Sequence, residues 1–144
     1  MTRLAPLDTL FDASAGPEIS LDGALRFPRP ADRPWVIGNF VSTMDGVTVL
    51  DDPLLHGGGE ISGYNAHDRM VMGVLRAVSD AIVVGAGTLR AESTHIWTAE
   101  HIYPDLADEF SALRRSLGLA PSPLNVFVTG RGDIDLSLPV FAGG

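Results

Sequence analysis

Asp80-Ala81-Ile82-Val83-Val84-Gly85-Ala86-Gly87-Thr88 sets the architecture expected of the whole chain. Ile82, Val83 and Val84 form a short run of large β-branched residues closed by glycine, the pattern of a strand buried on both faces. Gly85 and Gly87 remove side chains from the turn that follows, so a ligand can approach the backbone closely or φ can become positive. Thr88 is placed to cap a helix whose first N–H groups point at an anion. Strand, Gly-x-Gly-Thr turn and helix start together make a phosphate cradle, although the same pattern also serves as plain connection chemistry. It is neither of the two common nucleotide loops. The dinucleotide fingerprint needs a third glycine at Leu89 or Arg90, and the Walker loop needs a lysine, of which the chain has none.

Upstream, Ala66, Met70, Val71, Val74, Leu75 and Val78 recur on one face at helical period, which predicts a helix from Ser62 or Asn65 to Val78. Before it, Trp35-Val36-Ile37-Gly38-Asn39-Phe40-Val41 reads as a strand opened by Pro34. Ser42 to Gly46 turns it, with Asp45-Gly46 as the strongest turn signal. A helix between two parallel strands is the crossover such pairing requires, so these pieces read as a right-handed βαβ unit. Both carboxyl ends then share one edge, which places Val41 to Asp45 beside Gly85 to Thr88.

Downstream, Arg90 to Ile102 is irregular. Asp105 to Leu119 reads as a second helix on Leu106, Phe110, Leu113 and Leu117, punctuated by Pro104 and Gly118. Leu124 to Thr129 is a third strand, turned by Gly130-Arg131-Gly132-Asp133, and Leu136 to Phe141 is a short apolar piece. Met1 to Pro34 is broken by prolines and reads as an arm, with Leu4, Leu7, Leu10 and Phe11 on one face. In the loop from Asp51 to Gly63, the glycines of His56-Gly57-Gly58-Gly59 serve either a close backbone approach to a ligand or a sharp bend.

Composition bounds the function. With 144 residues, 45% hydrophobic and 19% charged, the chain reads as globular, with an arm over 1–33 and one α/β domain over 34–144. A net charge of −8 argues against nucleic acid or an anionic membrane as the main partner, yet leaves room for a small anionic ligand. The absence of cysteine removes disulfides, thiolate catalysis and cysteine-held zinc. No apolar run approaches a membrane span and no secretory pattern opens the chain, so a cytoplasmic location is expected. His56, His67, His95 and His101 do not fall at metal-site spacing. Trp97 and Tyr103 suit either stacking on a flat ring or a satellite core.

Four segments in this order carry a resemblance: Asn39 to Gly46, Val74-Leu75-Arg76-Ala77, Asp80 to Thr88, and Val126-Phe127-Val128-Thr129. Together they resemble the reductase domain of bacterial riboflavin biosynthesis, the C-terminal domain of bifunctional deaminase-reductases. The resemblance implies a dihydrofolate-reductase-like fold: α/β, three-layer, with a mainly parallel sheet and helices on both faces. It implies an NADPH-dependent homodimeric reductase that converts the ribose of a ribosylaminopyrimidine phosphate to ribitol. By position, Val41 and Ser42 line the nicotinamide end, and Thr43 and Asp45 face the reaction cleft. Asp45 is then the proton relay; by itself it reads equally as a turn residue. Gly85, Gly87, Thr88 and Glu92 meet the cofactor. Arg76 binds the substrate phosphate, or is simply a cation at a helix C-terminus, and Ile96 flanks the substrate.

Two departures keep other readings open. Glu92-Ser93-Thr94 stands where the family has Asp-x-Pro, so another heterocycle such as a pterin or dihydrofolate is an alternative substrate. The family's later Glu-Gly-Gly-Pro-type turn has no counterpart, so the domain is expected to be incomplete on its C-terminal side. That leaves a non-catalytic nucleotide-binding or assembly module as the reading from a different class.

Overall fold

The computed structural model describes residues 18–20, 24–27, 32–50, 52 and 58–142. The apolar face expected on Leu4 to Phe11, and His56-Gly57 of the glycine loop, lie outside these. The chain divides into two compact units, Met1–Asn39 and Phe40–Gly144. In the first, β1 (Glu18–Ser20) and β2 (Ala24–Arg26) form an antiparallel hairpin with Ile19 opposite Leu25 in register, where the sequence reads as an unpatterned arm. Strands of three residues lie below the length at which alternation becomes visible.

In the second unit the elements run α1 (Gly58–Ser62), α2 (Ala66–Val78), β3 (Ala81–Gly85), α3 (Ala86–Ala91), α4 (Ala99–Ile102), α5 (Ala107–Ser116) and β4 (Leu124–Val128). Short 3-10 turns at Pro104–Leu106 and Pro139–Phe141 complete the order. α2 starts where Asn65 accepts hydrogen bonds from the N–H groups of His67 and Asp68 at 2.9 and 3.3 Å. α5 follows the turn opened by Pro104 and stops at Gly118, whose φ of +68° is the left-handed conformation that closes helices.

The sheet is mixed α/β in the coarse sense expected, but its pairing differs. β3 pairs in parallel with β4, Ala81 opposite Leu124 through to Gly85 opposite Val128. The crossover is therefore the stretch holding α3, α4 and α5. Trp35 to Val41 pairs with no strand among the described residues, and Trp35, Val36, Ile37 and Phe40 are exposed. Its apolar pattern is that of a strand, but a strand is made by a neighbour's backbone, and none of the described strands supplies one. The expected βαβ unit through 35–41 is replaced by the one through α3 to α5.

Among the described residues, one face of the parallel pair is covered. Ile82, Val84 and Phe127 point to a cluster with Leu89 and Trp97, joined by Ile134, Leu138, Val140 and Phe141. On the other face Val83, Leu124 and Val128 are 68%, 67% and 59% exposed.

Beside the sheet, α2 packs on α4 and α5 through fully buried Val74, Ala77 and Phe110. Arg114 of α5 is buried as well. Its Nη1 donates to the carbonyls of Arg76, Ala77 and Ser79 at 3.1, 3.1 and 2.9 Å, and its Nε to that of Ala120 at 2.7 Å. These include the last carbonyls of α2, which have no partner within the helix.

Gly73 lets α2 and α5 approach: a Cβ there would stand 2.6 Å from Phe110 Cζ and 2.9 Å from its Cε2. Gly73→Val is expected to lower stability by about 1–3 kcal/mol through overpacking. Phe110→Leu in the same chain should restore part of that loss, both read from urea denaturation midpoints.

Candidate functional site

Parallel strands end together, so Gly85 and Val128 bring their carboxyl ends to the same sheet edge. The chain leaves β3 into α3 and leaves β4 into the turn from Thr129 to Asp133. Between the two exits lies an open notch of about 690 Å³, lined by Gly85, Ala86, Gly87 and Arg90 on one side and Val128, Thr129, Gly130, Arg131 and Asp133 on the other. Thr129 Oγ1 shapes the second side by accepting from the N–H groups of Arg131 and Gly132 at 3.3 and 3.2 Å.

Three glycines border this space without a structural need for glycine. A Cβ at Gly85, Gly87 or Gly130 would meet nothing within 4 Å, and none of the three has positive φ. Gly87 is the second residue of α3, a first-turn position that an ordinary helix-forming residue could fill. Charge comes from the exposed guanidinia of Arg90 and Arg131, with the Asp133 carboxylate on the same rim.

Of the residues the sequence assigns to the cofactor, Gly85 and Gly87 line this notch. Arg90, Thr129, Gly130, Arg131 and Asp133 line it too, although the sequence reads them as residues of an irregular stretch, a strand and a turn. The signal was present: Val128-Thr129-Gly130 repeats the strand-then-glycine exit of Val84-Gly85, and each exit leads to an arginine. Thr88 sits differently from expectation. The helix begins at Ala86 with Gly85 as its cap, so Thr88 is an exposed residue of the first turn rather than the capping residue. At six residues α3 also carries little dipole, which leaves the arginines as the positive charge of the notch.

The remaining expected residues fall into two other places. Val41, Ser42, Thr43 and Asp45 belong to a loop tip that does not line the notch. Asp45 is exposed and accepts a hydrogen bond from the Thr43 hydroxyl, inside a turn where Gly46 N–H donates to Thr43 O at 3.0 Å. Val41 packs against α1, and a Cβ on Gly58 would stand 2.7 Å from its Cγ1. On the neighbouring Gly59 a Cβ would meet the Tyr64 ring at 2.7 Å, so packing accounts for both glycines.

Arg76, Glu92 and Ile96 make the second place. Arg76 is buried at 8% exposure, and its Nη1 lies 3.2 Å from Thr98 O, 3.5 Å from Ile96 O and 2.9 Å from His95 Nε2. Burial lowers its pKa to about 10, against the pull of the nearby Glu92, so it stays charged at neutral pH. The guanidinium expected to take a substrate phosphate is instead committed to the backbone of the loop between α3 and α4. Ile96 meets it through its carbonyl, and half-buried Glu92 caps the C-terminus of α3. Tyr64, with φ +54°, donates to Glu60 Oε1 at 2.8 Å, and that bond is the main cause of its raised pKa.

No group of three or more His, Asp or Glu among the described residues is placed to hold a metal ion, and no helix there is long and apolar enough to cross a membrane. Comparison with protein-family models, with curated proteins and with solved structures finds no match to the chain.

A structural Arg76 has a measurable signature. Arg76→Met is expected to lower unfolding free energy by about 2–3 kcal/mol, because buried carbonyls lose a charged donor. A variant as stable as the native chain in a urea melt would return Arg76 to the ligand-binding residues.

Proposed function

We propose that the notch at the ends of β3 and β4 takes the phosphate-bearing part of NADPH, and that the protein is an NADPH-dependent reductase. The observation that carries this reading is the set of glycines at 85, 87 and 130, which neither φ nor packing requires. A ligand lying against bare backbone does require them. The two exposed arginines supply what a phosphate needs beyond that contact. The resemblance on Asn39 to Gly46, Asp80 to Thr88 and Val126 to Thr129 points to the same cofactor, within a dihydrofolate-reductase-like domain built on a larger, three-layer sheet.

The substrate proposed is a ribosylaminopyrimidine phosphate of riboflavin biosynthesis. With Arg76 engaged elsewhere, its phosphate has no assigned partner, and a pterin or dihydrofolate fits the same cofactor geometry. Hydride would come from the nicotinamide; Asp45, open to solvent beside Thr43, is the group that would relay a proton from water. One observation favours a binding-only module instead: no proton-relaying candidate of the sequence lines the notch.

NADPH titration by fluorescence tests the cofactor assignment. Saturable quenching is expected, weakened about tenfold or more by Arg131→Glu, which sets a carboxylate against phosphate. Gly87→Val is the sharper variant, since the fold has room for it: the melting temperature should hold while affinity falls. Unchanged NADPH affinity in Gly87→Val would remove the notch from the site. Binding of nucleotides without regard to the nicotinamide would favour the module.

A further inference from the structure

His95 lies in the loop between α3 and α4, faced by charge from three directions. α2 presents Arg69 and Arg76, α4 presents His101 with Glu100 beside it, and Glu92 at the end of α3 acts on Arg76. The closest contact is Arg76 Nη1 to His95 Nε2 at 2.9 Å. A guanidinium can only donate, so Nε2 must offer its lone pair and the ring proton sits on Nδ1. A doubly protonated ring has no lone pair to offer and would set a second cation at that same distance.

The ring also packs on His101 of α4, with centroids 4.7 Å apart, and reaches the sheet through Trp97. His95 packs edge-on against Trp97 with centroids 5.0 Å apart, and Trp97 against Phe127 of β4 at 5.6 Å. Trp97 is 6% exposed and belongs to the cluster with Val84 and Leu89. Val128, the residue after Phe127, lines the notch.

We propose that the Arg76–His95 contact is an acid-released latch: neutral His95 holds the loop 92–98 and Trp97 beneath the sheet, and a proton on the ring frees both and loosens the β4 side of the notch. The latch stands on contacts within the fold and is independent of what the notch binds. Its pH window follows from the two forms. Burial first, then Arg76, His101 and Arg69, lower the pKa of the seated ring to about 4 from the ordinary 6.5, to which a released ring returns. Well above 6.5 both forms are neutral and pH has no effect. Between 6.5 and 4 the released form binds the proton first and gains up to about tenfold in population per pH unit, less for a half-buried ring.

The chain has 2 tryptophans, so Trp35→Phe leaves Trp97 as the sole tryptophan, read alone by excitation beyond the tyrosine band. In dilute solution that chain should show a red shift and stronger acrylamide quenching between neutral and mildly acidic buffer, on the two sides of the ordinary histidine pKa of about 6.5, with helical circular dichroism unchanged. Adding His95→Gln keeps an acceptor for Arg76 that does not titrate, and should hold emission constant across the range. A flat profile with His95 in place, or the same shift in the His95→Gln chain, overturns the latch. Should the glutamine variant not fold, proton NMR of the native chain decides. A His95 ring that titrates near its ordinary value while Trp97 keeps its contacts to Phe127 would equally overturn it.

Discussion

A buried guanidinium closes the C-terminal end of α2. Arg114 reaches from α5 to the carbonyls of Arg76, Ala77 and Ser79, three acceptors gathered on one donor group. The consequences spread in both directions along the chain. Toward the C-terminus, Ser79 leads into Asp80, whose carbonyl accepts from Leu124 N–H at 2.9 Å and so begins the parallel ladder. Toward the N-terminus, the same helix end holds Arg76, which fixes the loop 92–98, while Arg69 bonds the carbonyl of Ile102 at 3.1 Å. Helix, loop and first sheet residue are thus tied by arginine-to-carbonyl bonds. Such bonds are costly to break because the carbonyls are left unpaired in a poorly solvated place.

From that anchoring follows the position of the notch. Once Asp80 and Leu124 are joined, register carries Gly85 and Val128 to a common edge, and two glycine-bearing exits open side by side. The fold uses glycine tightly where it needs it, at Gly73 under Phe110 and at Gly58 against Val41. The glycines of the notch differ: a Cβ at Gly85, Gly87 or Gly130 would stand in open space. Arg90 and Arg131 outnumber Asp133 at the notch, so the charge there runs opposite to the −8 of the whole molecule.

The elements with the clearest periodicity were legible. α2 and α5 follow from apolar stripes with proline, asparagine and glycine at their ends, and β3 and β4 from short β-branched or aromatic runs. What sequence could not supply was pairing. Trp35 to Val41 has the letters of a strand, yet strand identity depends on a neighbour that local pattern does not name. The roles of arginines were hidden for a related reason. Arg76 reads as a phosphate ligand or a cation at a helix C-terminus, and only tertiary contact reveals it, like Arg114, as a buried donor. Arg90 reads as part of an irregular stretch and Arg131 as a turn residue until the strands are set in register.

The uncovered side of the β3–β4 pair bears on how the protein behaves as a colloid. Val83, Leu124 and Val128 form a flat oily strip with water against it. Copies meeting along that strip are held apart mainly by like charge, a repulsion that reaches about 8 Å at physiological salt and less in concentrated brine. The isoelectric point near 4.7 removes it altogether. Clouding is therefore a hazard of acid and of high salt, and a dilute, weakly buffered neutral solution is where single molecules are best kept.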